Sequence, residues 1–254
     1  MILAIDVGNS NICLSGYDED TPVFAARVHT DTLRTETEYA VLFRNIFQIH
    51  DIDPKRVDGA AISCVVPVLT PILVEAVRLL TGLTALVVGP GVKTGINLRI
   101  DEPASCGADL VCTAAGAAEK YPLPAIIVDL GTATKITVVD STRSFIGGMI
   151  GPGVEVSLHA LSASAALLPS VGIGQAVKTI GKNTVDCIVS GSVLGAASMI
   201  DGMIERFREV VGDVPTVVAC GGLSSRIIPY CRQEITLDPS LLLDGLLAIY
   251  KRNR

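Results

Sequence analysis

Two stretches of this 254-residue sequence carry residue types suited to holding phosphate. Asp6-Val7-Gly8-Asn9-Ser10-Asn11 follows an apolar run at 1–5, and Asp129-Leu130-Gly131-Thr132-Ala133-Thr134 follows another at 124–128, 123 residues further on. Glycine lets the backbone come close to an anion and aim its N–H groups at it. Ser10, Asn11, Thr132 and Thr134 add short donors, and each Asp at a strand end offers a hard oxygen for Mg²⁺ or a monovalent cation. One such motif reads equally well as an ordinary hairpin turn. Two copies half a chain apart favour a paired phosphate site.

A third acid stands in Gly107-Ala108-Asp109, at the opening of a helix expected over 110–120. An Asp there serves either chemistry or the helix N-terminus, as a cap or against the dipole. Ala219-Cys220-Gly221-Gly222-Leu223 offers bare backbone to a nucleotide base or ribose, or else a tight strand-to-helix turn. Lys135 and Lys182 read as surface charges able to touch phosphate, and Asp101-Glu102-Pro103 as a polar loop. Other chemistries find little support. Gly89-Pro90-Gly91-Val92-Lys93-Thr94 lacks the Gly directly before Lys of a Walker A loop, and Gly181-Lys182-Asn183 lacks the Ser or Thr after Lys. His29, His50 and His159 are isolated, and neither His-Glu-x-x-His nor Gly-x-Ser-x-Gly occurs. Seven cysteines without a Cys-x-x-Cys pair argue against zinc and against a disulfide framework, and read as reduced, mostly buried residues.

The elements that must position these groups repeat as well. Each Asp-x-Gly copy reads as strand, turn, strand, turn, strand, with third strands near 23–28 and 144–150. A later buried strand recurs at 59–65 and 216–222, and helical spacing of apolar residues marks 37–50, 71–80, 107–120, 184–211 and 240–251. The expected fold class is α/β: two similar lobes, 1–117 and 118–254, with a ligand cleft between them.

Composition bounds the partners. Hydrophobic residues make up 49% and charged residues 18%, which fits a packed core and not a disordered chain. A net charge of −6 argues against a nucleic-acid-coating surface. Mean hydropathy is high at +0.52. Yet the longest charge-free run, 156–177, holds His159, Pro169, Gly172 and Gly174, and 60–74 is cut by Pro67 and Pro71, so no membrane span is expected. The start Met1-Ile2-Leu3-Ala4-Ile5-Asp6 has no basic segment and does not read as a signal peptide, so a cytoplasmic location is expected.

Taken in order, residues 4–11, 89–95, 107–109, 128–134, 147–153 and 180–184 resemble the motifs of type III pantothenate kinases nearly end to end. The resemblance implies the duplicated ribonuclease-H-like (actin-like ATPase) fold of the acetate/sugar kinase, Hsp70 and actin superfamily. It also implies ATP-dependent phosphorylation of pantothenate to 4′-phosphopantothenate, the first step towards coenzyme A, with Mg²⁺, a monovalent cation (K⁺ or NH₄⁺) and a homodimer. Carried over by position, Asp6, Val7, Gly8, Asn9, Ser10, Asn11, Ile12 and Cys13 would line the ATP phosphates, with Asp6 helping to hold Mg²⁺ and Thr132 a further ATP contact. Asp109 would be the general base, Asp129 the monovalent-cation ligand, and Ile100, Gly107, Ala108, Asp109, Leu110 and Thr184 would border pantothenate.

Three positions depart from that pattern: Ser10 stands where the family usually has Thr, Ile100-Asp101-Glu102-Pro103 where it has Tyr-Asp-Asn-Pro, and Leu110 where it has Arg. The last two lie on the expected pantothenate side. They leave room for a kinase of the same fold acting on another small hydroxylated metabolite; a nucleotide-binding regulatory protein derived from the kinase is the alternative from another class.

Overall fold

The computed structural model describes residues 1–174 and 176–254. From the N-terminus run β1 (Ile2–Val7), β2 (Asn11–Asp18), β3 (Thr21–His29), α1 (Glu36–Ile49), β4 (Gly59–Cys64), α2 (Leu69–Thr81) and β5 (Leu86–Val87). The short β6 (Asn97–Leu98) and α3 (Ala108–Lys120) follow. Then come β7 (Ala125–Leu130), β8 (Ala133–Val139), β9 (Ser144–Pro152), α4 (Val154–Ser164) and α5 (Thr184–Val211). The chain closes with β10 (Thr216–Cys220), α6 (Ser224–Ile227), β11 (Thr236–Leu237) and α7 (Leu241–Arg252).

These elements form two compact units. The first comprises Met1–Asn97, Asp101–Glu119 and Leu241–Arg254, the second Leu98–Ile100 and Lys120–Ser240. The sequence division at 117/118 assigns the last helix to the second lobe, whereas α7 packs in the first unit. A Cβ on Gly245 would run into the Cys112 carbonyl and one on Gly116 into the Leu241 carbonyl, so two bare backbones meet where α3 and α7 touch. Tyr17 Oη donates to Asp244 Oδ1 at 2.8 Å and fastens the same helix to β2.

The first unit is built on a five-stranded sheet in the order β3-β2-β1-β4-β5. β1 pairs antiparallel with β2 and parallel with β4, and its apolar residues are buried along its whole length, as a central strand requires. α1 starts on a capping box, in which Glu38 N–H donates to Thr35 Oγ1 and Thr35 N–H to Glu38 Oε2. Its inward stripe of Tyr39, Phe43, Ile46 and Phe47 joins Leu3, Ile5, Val7, Ile62, Leu69 and Leu73 in one core.

The second unit repeats the plan with β9-β8-β7-β10-β11, and β6 is added outside β9. β7 again pairs antiparallel with the next strand and parallel with the returning one, β10. The copies differ at the turn. In the first hairpin the last pair is Val7 with Ile12, leaving Gly8 to Asn11 in the loop; in the second it is Leu130 with Thr134, a loop one residue shorter. α5 covers this sheet through Ile188, Val189, Val193, Ala197, Ile200 and Ile204. Among the described residues α5 is also the one helix long and apolar enough to cross a membrane, a stretch the sequence reading did not weigh. α4 was not expected, because only Val154 and Leu158 of its residues are buried and the sequence shows no helical stripe.

Candidate active site

In the first unit Asp6 sits near the end of β1, half-buried, with Val7 beyond it wholly buried. Its cross-strand partner is Cys13 and its neighbour on β4 is Ser63, whose buried Oγ donates to Asp6 Oδ1 at 2.8 Å. The loop after it closes when Gly8 N–H donates to the Asn11 carbonyl at 3.0 Å. Thr30, just past β3, braces that loop: its Oγ1 donates to the Gly8 carbonyl at 2.7 Å and its N–H to the Ser10 carbonyl at 3.0 Å. Asn9 and Asn11 are exposed and Gly8 and Ser10 half-buried, so this loop offers its backbone and polar side chains to solvent. Val7 and Ile12 bury their side chains in the core and have only backbone to offer a ligand. The Cys13 thiol is pushed up to about 11, by burial first and by Asp6 second, against a smaller pull from Arg27. It stays neutral beside the Asp6 carboxylate.

Asp109 lies in the first turn of α3, half-buried, and its Oδ1 accepts from the Leu110 N–H at 2.8 Å. A Cβ at Gly107 would collide with that carboxylate, so the glycine leaves Asp109 room to fold back over the helix N-terminus, where the dipole favours its charge. Burial raises the thiol of Cys106 and Asp109 adds to it. The fully buried Cys112 thiol is raised well above its usual value by burial, then by Asp6 and more weakly by Asp109, while a hydrogen bond with Ser63 acts in the opposite direction. Asp6 and Asp109, 103 residues apart in sequence, therefore share one electrostatic neighbourhood in this unit.

In the second unit Asp129 is 8% exposed at the end of β7 and stands opposite Lys135 on β8. Lys135 Nζ is 2.6 Å from Asp129 Oδ2 with both side chains largely buried, so Lys135 is not the surface charge expected from sequence. The loop of Gly131, Thr132 and Ala133 is held by Gly131 N–H to the Ala133 carbonyl and Gly153 N–H to the Thr132 carbonyl, each 3.1 Å. Gly221 takes φ +91°, and a Cβ there would stand 2.6 Å from both Asp129 Oδ1 and the Leu130 carbonyl. The Gly-Gly segment thus makes room for the Asp129 carboxylate. Thr132 is exposed, whereas Thr134, expected as a phosphate donor, is buried at 1% exposure. Ile100 packs near Gly147, and Thr184 is exposed at the first position of α5 after the N-cap Asn183, whose Oδ1 accepts from Asp186 N–H at 2.9 Å.

A family profile of type III pantothenate kinases matches residues 2–206. The chain belongs to that family. A type III pantothenate kinase of Exiguobacterium sibiricum is 42% identical over 255 residues, and one of Moorella thermoacetica 38% identical over 253, each covering the whole of both chains. Among solved structures, component A of (R)-2-hydroxyglutaryl-CoA dehydratase from Acidaminococcus fermentans matches with a TM-score of 0.58 at 16% identity, covering 100% of this chain and 99% of the other. A ROK family glucokinase from Streptomyces griseus, solved with glucose and AMPPNP, matches with a TM-score of 0.55 at 14% identity, covering 98% of each. The fold of this family member is the expected duplicated actin-like ATPase fold.

Asp6, the loop Gly8 to Asn11, Gly107 and Asp109 belong to the first unit, and Asp129, Thr132, Ile100 and Thr184 to the second. Sequence reading missed Ser63, Thr30 and the pairing of Lys135. A lone polar residue inside the apolar strand Gly59-Ala60-Ala61-Ile62-Ser63-Cys64 was the available signal for Ser63. Hairpin register counted out from Leu130 would have placed Lys135 opposite Asp129.

Proposed function

We propose that this chain transfers the γ-phosphoryl group of ATP to the hydroxyl of pantothenate, giving 4′-phosphopantothenate, the first step towards coenzyme A. The full-length likeness to type III pantothenate kinases carries the reading. The shared neighbourhood of Asp6 and Asp109 around Cys112 supports it. Asp109 is assigned as general base: its half-buried carboxylate orients the substrate hydroxyl and accepts its proton as that oxygen bonds to the γ-phosphorus and the bond from the γ-phosphorus to the bridging oxygen breaks, releasing ADP. Phosphoryl transfer runs through a loose transition state in which the nucleophile gives up its proton late, so the acceptor's main task is to be in place beside the hydroxyl.

The loop Gly8 to Asn11 is assigned to the ATP phosphates through backbone N–H groups, Ser10 and Asn11, with Val7 and Ile12 contributing backbone, Cys13 flanking, and Thr132 as a further contact. Gly107, Ala108, Leu110, Ile100 and Thr184 are assigned to pantothenate. The donor set fits Mg²⁺, which takes one or two carboxylates together with phosphate oxygens and water. Asp6, oriented by Ser63, supplies one such hard oxygen, and no cluster of three or more metal-binding side chains competes among the described residues. When bound, the ion would neutralise phosphate charge. The monovalent cation implied at Asp129 does not fit, because an ammonium already lies against Oδ2.

A homodimer and a cytoplasmic location, both expected from the family resemblance and the sequence, complete the proposal. ADP release by the purified protein with and without pantothenate tests the reading. Turnover that rises with pantothenate is expected, and turnover indifferent to it overturns the assignment.

A further inference from the structure

The two Asp-x-Gly hairpins of this chain have diverged at one position with direct consequences for charge. Opposite Asp6 the cross-strand residue is Cys13, which brings no positive charge to the carboxylate. Opposite Asp129 it is Lys135. Its Nζ stands 2.6 Å from Oδ2, with side-chain exposures of 15% for Lys135 and 12% for Asp129. On the other side of the carboxylate, Oδ1 lies against Gly221, where a Cβ would stand 2.6 Å from it. A carboxylate this deeply placed needs compensating charge. K⁺, NH₄⁺ and a lysine ammonium each bring one positive charge, and the lysine is already held at the position by the strand register. Tethering keeps it at an effective concentration that a free ion must displace, and the short paired geometry leaves Oδ2 engaged.

We propose that Lys135 is a built-in monovalent cation, a positioning residue that makes nucleotide binding and phosphoryl transfer by this chain independent of added K⁺ or NH₄⁺. The ammonium fixes Asp129, and through it the loop carrying Thr132, in the arrangement that a bound ion would otherwise hold. The activity part of this inference rests on the proposed phosphoryl transfer; the binding part does not.

The test compares wild-type protein and Lys135→Met in buffers of equal ionic strength whose only monovalent cation is tetramethylammonium, K⁺ or NH₄⁺. Affinity for MgATP by calorimetry and thermal stability are read first, then pantothenate-dependent ADP release. Wild-type affinity and melting temperature are expected to be the same in all three buffers. Lys135→Met should bind MgATP at least about tenfold more weakly in tetramethylammonium, the scale of losing one partner of a buried ion pair. K⁺ or NH₄⁺, small enough to enter beside Asp129, should restore both its affinity and its melting temperature. Wild-type protein that binds nucleotide only when K⁺ or NH₄⁺ is present overturns the inference, and so does a folded Lys135→Met indifferent to the cation. If Lys135→Met does not fold in any buffer, the wild-type comparison decides by itself. Cation-independent MgATP binding without any pantothenate turnover would support the role of Lys135 while removing the assigned substrate.

Discussion

Ser63 on β4 donates its hydroxyl to Asp6 on the adjoining parallel strand, Oγ to Oδ1 at 2.8 Å, with Ser63 wholly buried. This contact fixes the rotamer of the carboxylate assigned to Mg²⁺. Ser63→Ala should raise KM for MgATP by roughly tenfold, the worth of one hydrogen bond to a charged group, with a smaller change in KM for pantothenate. Initial-rate kinetics at varied MgATP checks this, and an unchanged KM would mean that Asp6 is oriented by other contacts.

Asp109→Asn keeps the shape of the first turn of α3 and removes the proton acceptor. It should lower kcat by about 10² to 10⁴, the usual range for a lost general base, while MgATP still binds. Calorimetry for nucleotide together with turnover for catalysis separates the two effects. Turnover close to wild type would leave Asp109 as a helix N-terminal residue only.

Leu110 replaces the arginine expected next to the base, and it is only partly buried at the start of α3, so a longer polar side chain has a route to solvent. A charge-assisted hydrogen bond to the pantothenate carboxylate is worth about 1.5 to 3 kcal/mol. Leu110→Arg should therefore lower KM for pantothenate by roughly tenfold or more with little change in kcat, the signature of added uniform binding. A KM that stays put or worsens would show that another group already holds the carboxylate.

Gly221 combines left-handed backbone with a Cα pressed against Asp129 and Leu130, whereas Gly82, at φ +76°, has open space where a Cβ would go. Gly82→Ala should show backbone strain alone, about 1 kcal/mol. Gly221→Ala should add overpacking to the strain and cost about 2 to 4 kcal/mol. Thermal unfolding of both variants measures the difference. Equal losses would mean that the Asp129 carboxylate moves aside freely.

Much of the fold was legible because the residues that build it are local. β1 and β7 are unbroken apolar runs ending in Asp-x-Gly, and α5 was expected at 184–211 from the helical spacing of its apolar residues, with Asn183 and Gly212 capping it in the structure. Asp6, Asp109 and Asp129 were legible as candidates because acids at strand and helix ends stand out against apolar neighbours. What escaped depends on packing between distant segments. The membership of α7 in the first unit follows from Gly116 meeting the Leu241 carbonyl and Gly245 the Cys112 carbonyl, contacts with no local signature. Lys135 looked like a surface charge because its partner across the hairpin is visible only once the register is counted. α4 escaped because so few of its residues face the core.

The most direct test of the central claim follows the phosphoryl group itself. Purified protein is incubated with Mg²⁺, γ-³²P-labelled ATP and pantothenate, and the labelled product is separated and identified by mass. Label recovered in 4′-phosphopantothenate by the wild-type protein, and lost in Asp109→Asn, is the predicted result. Label that reaches a different hydroxylated metabolite but not pantothenate, or that is released only as inorganic phosphate, would contradict it.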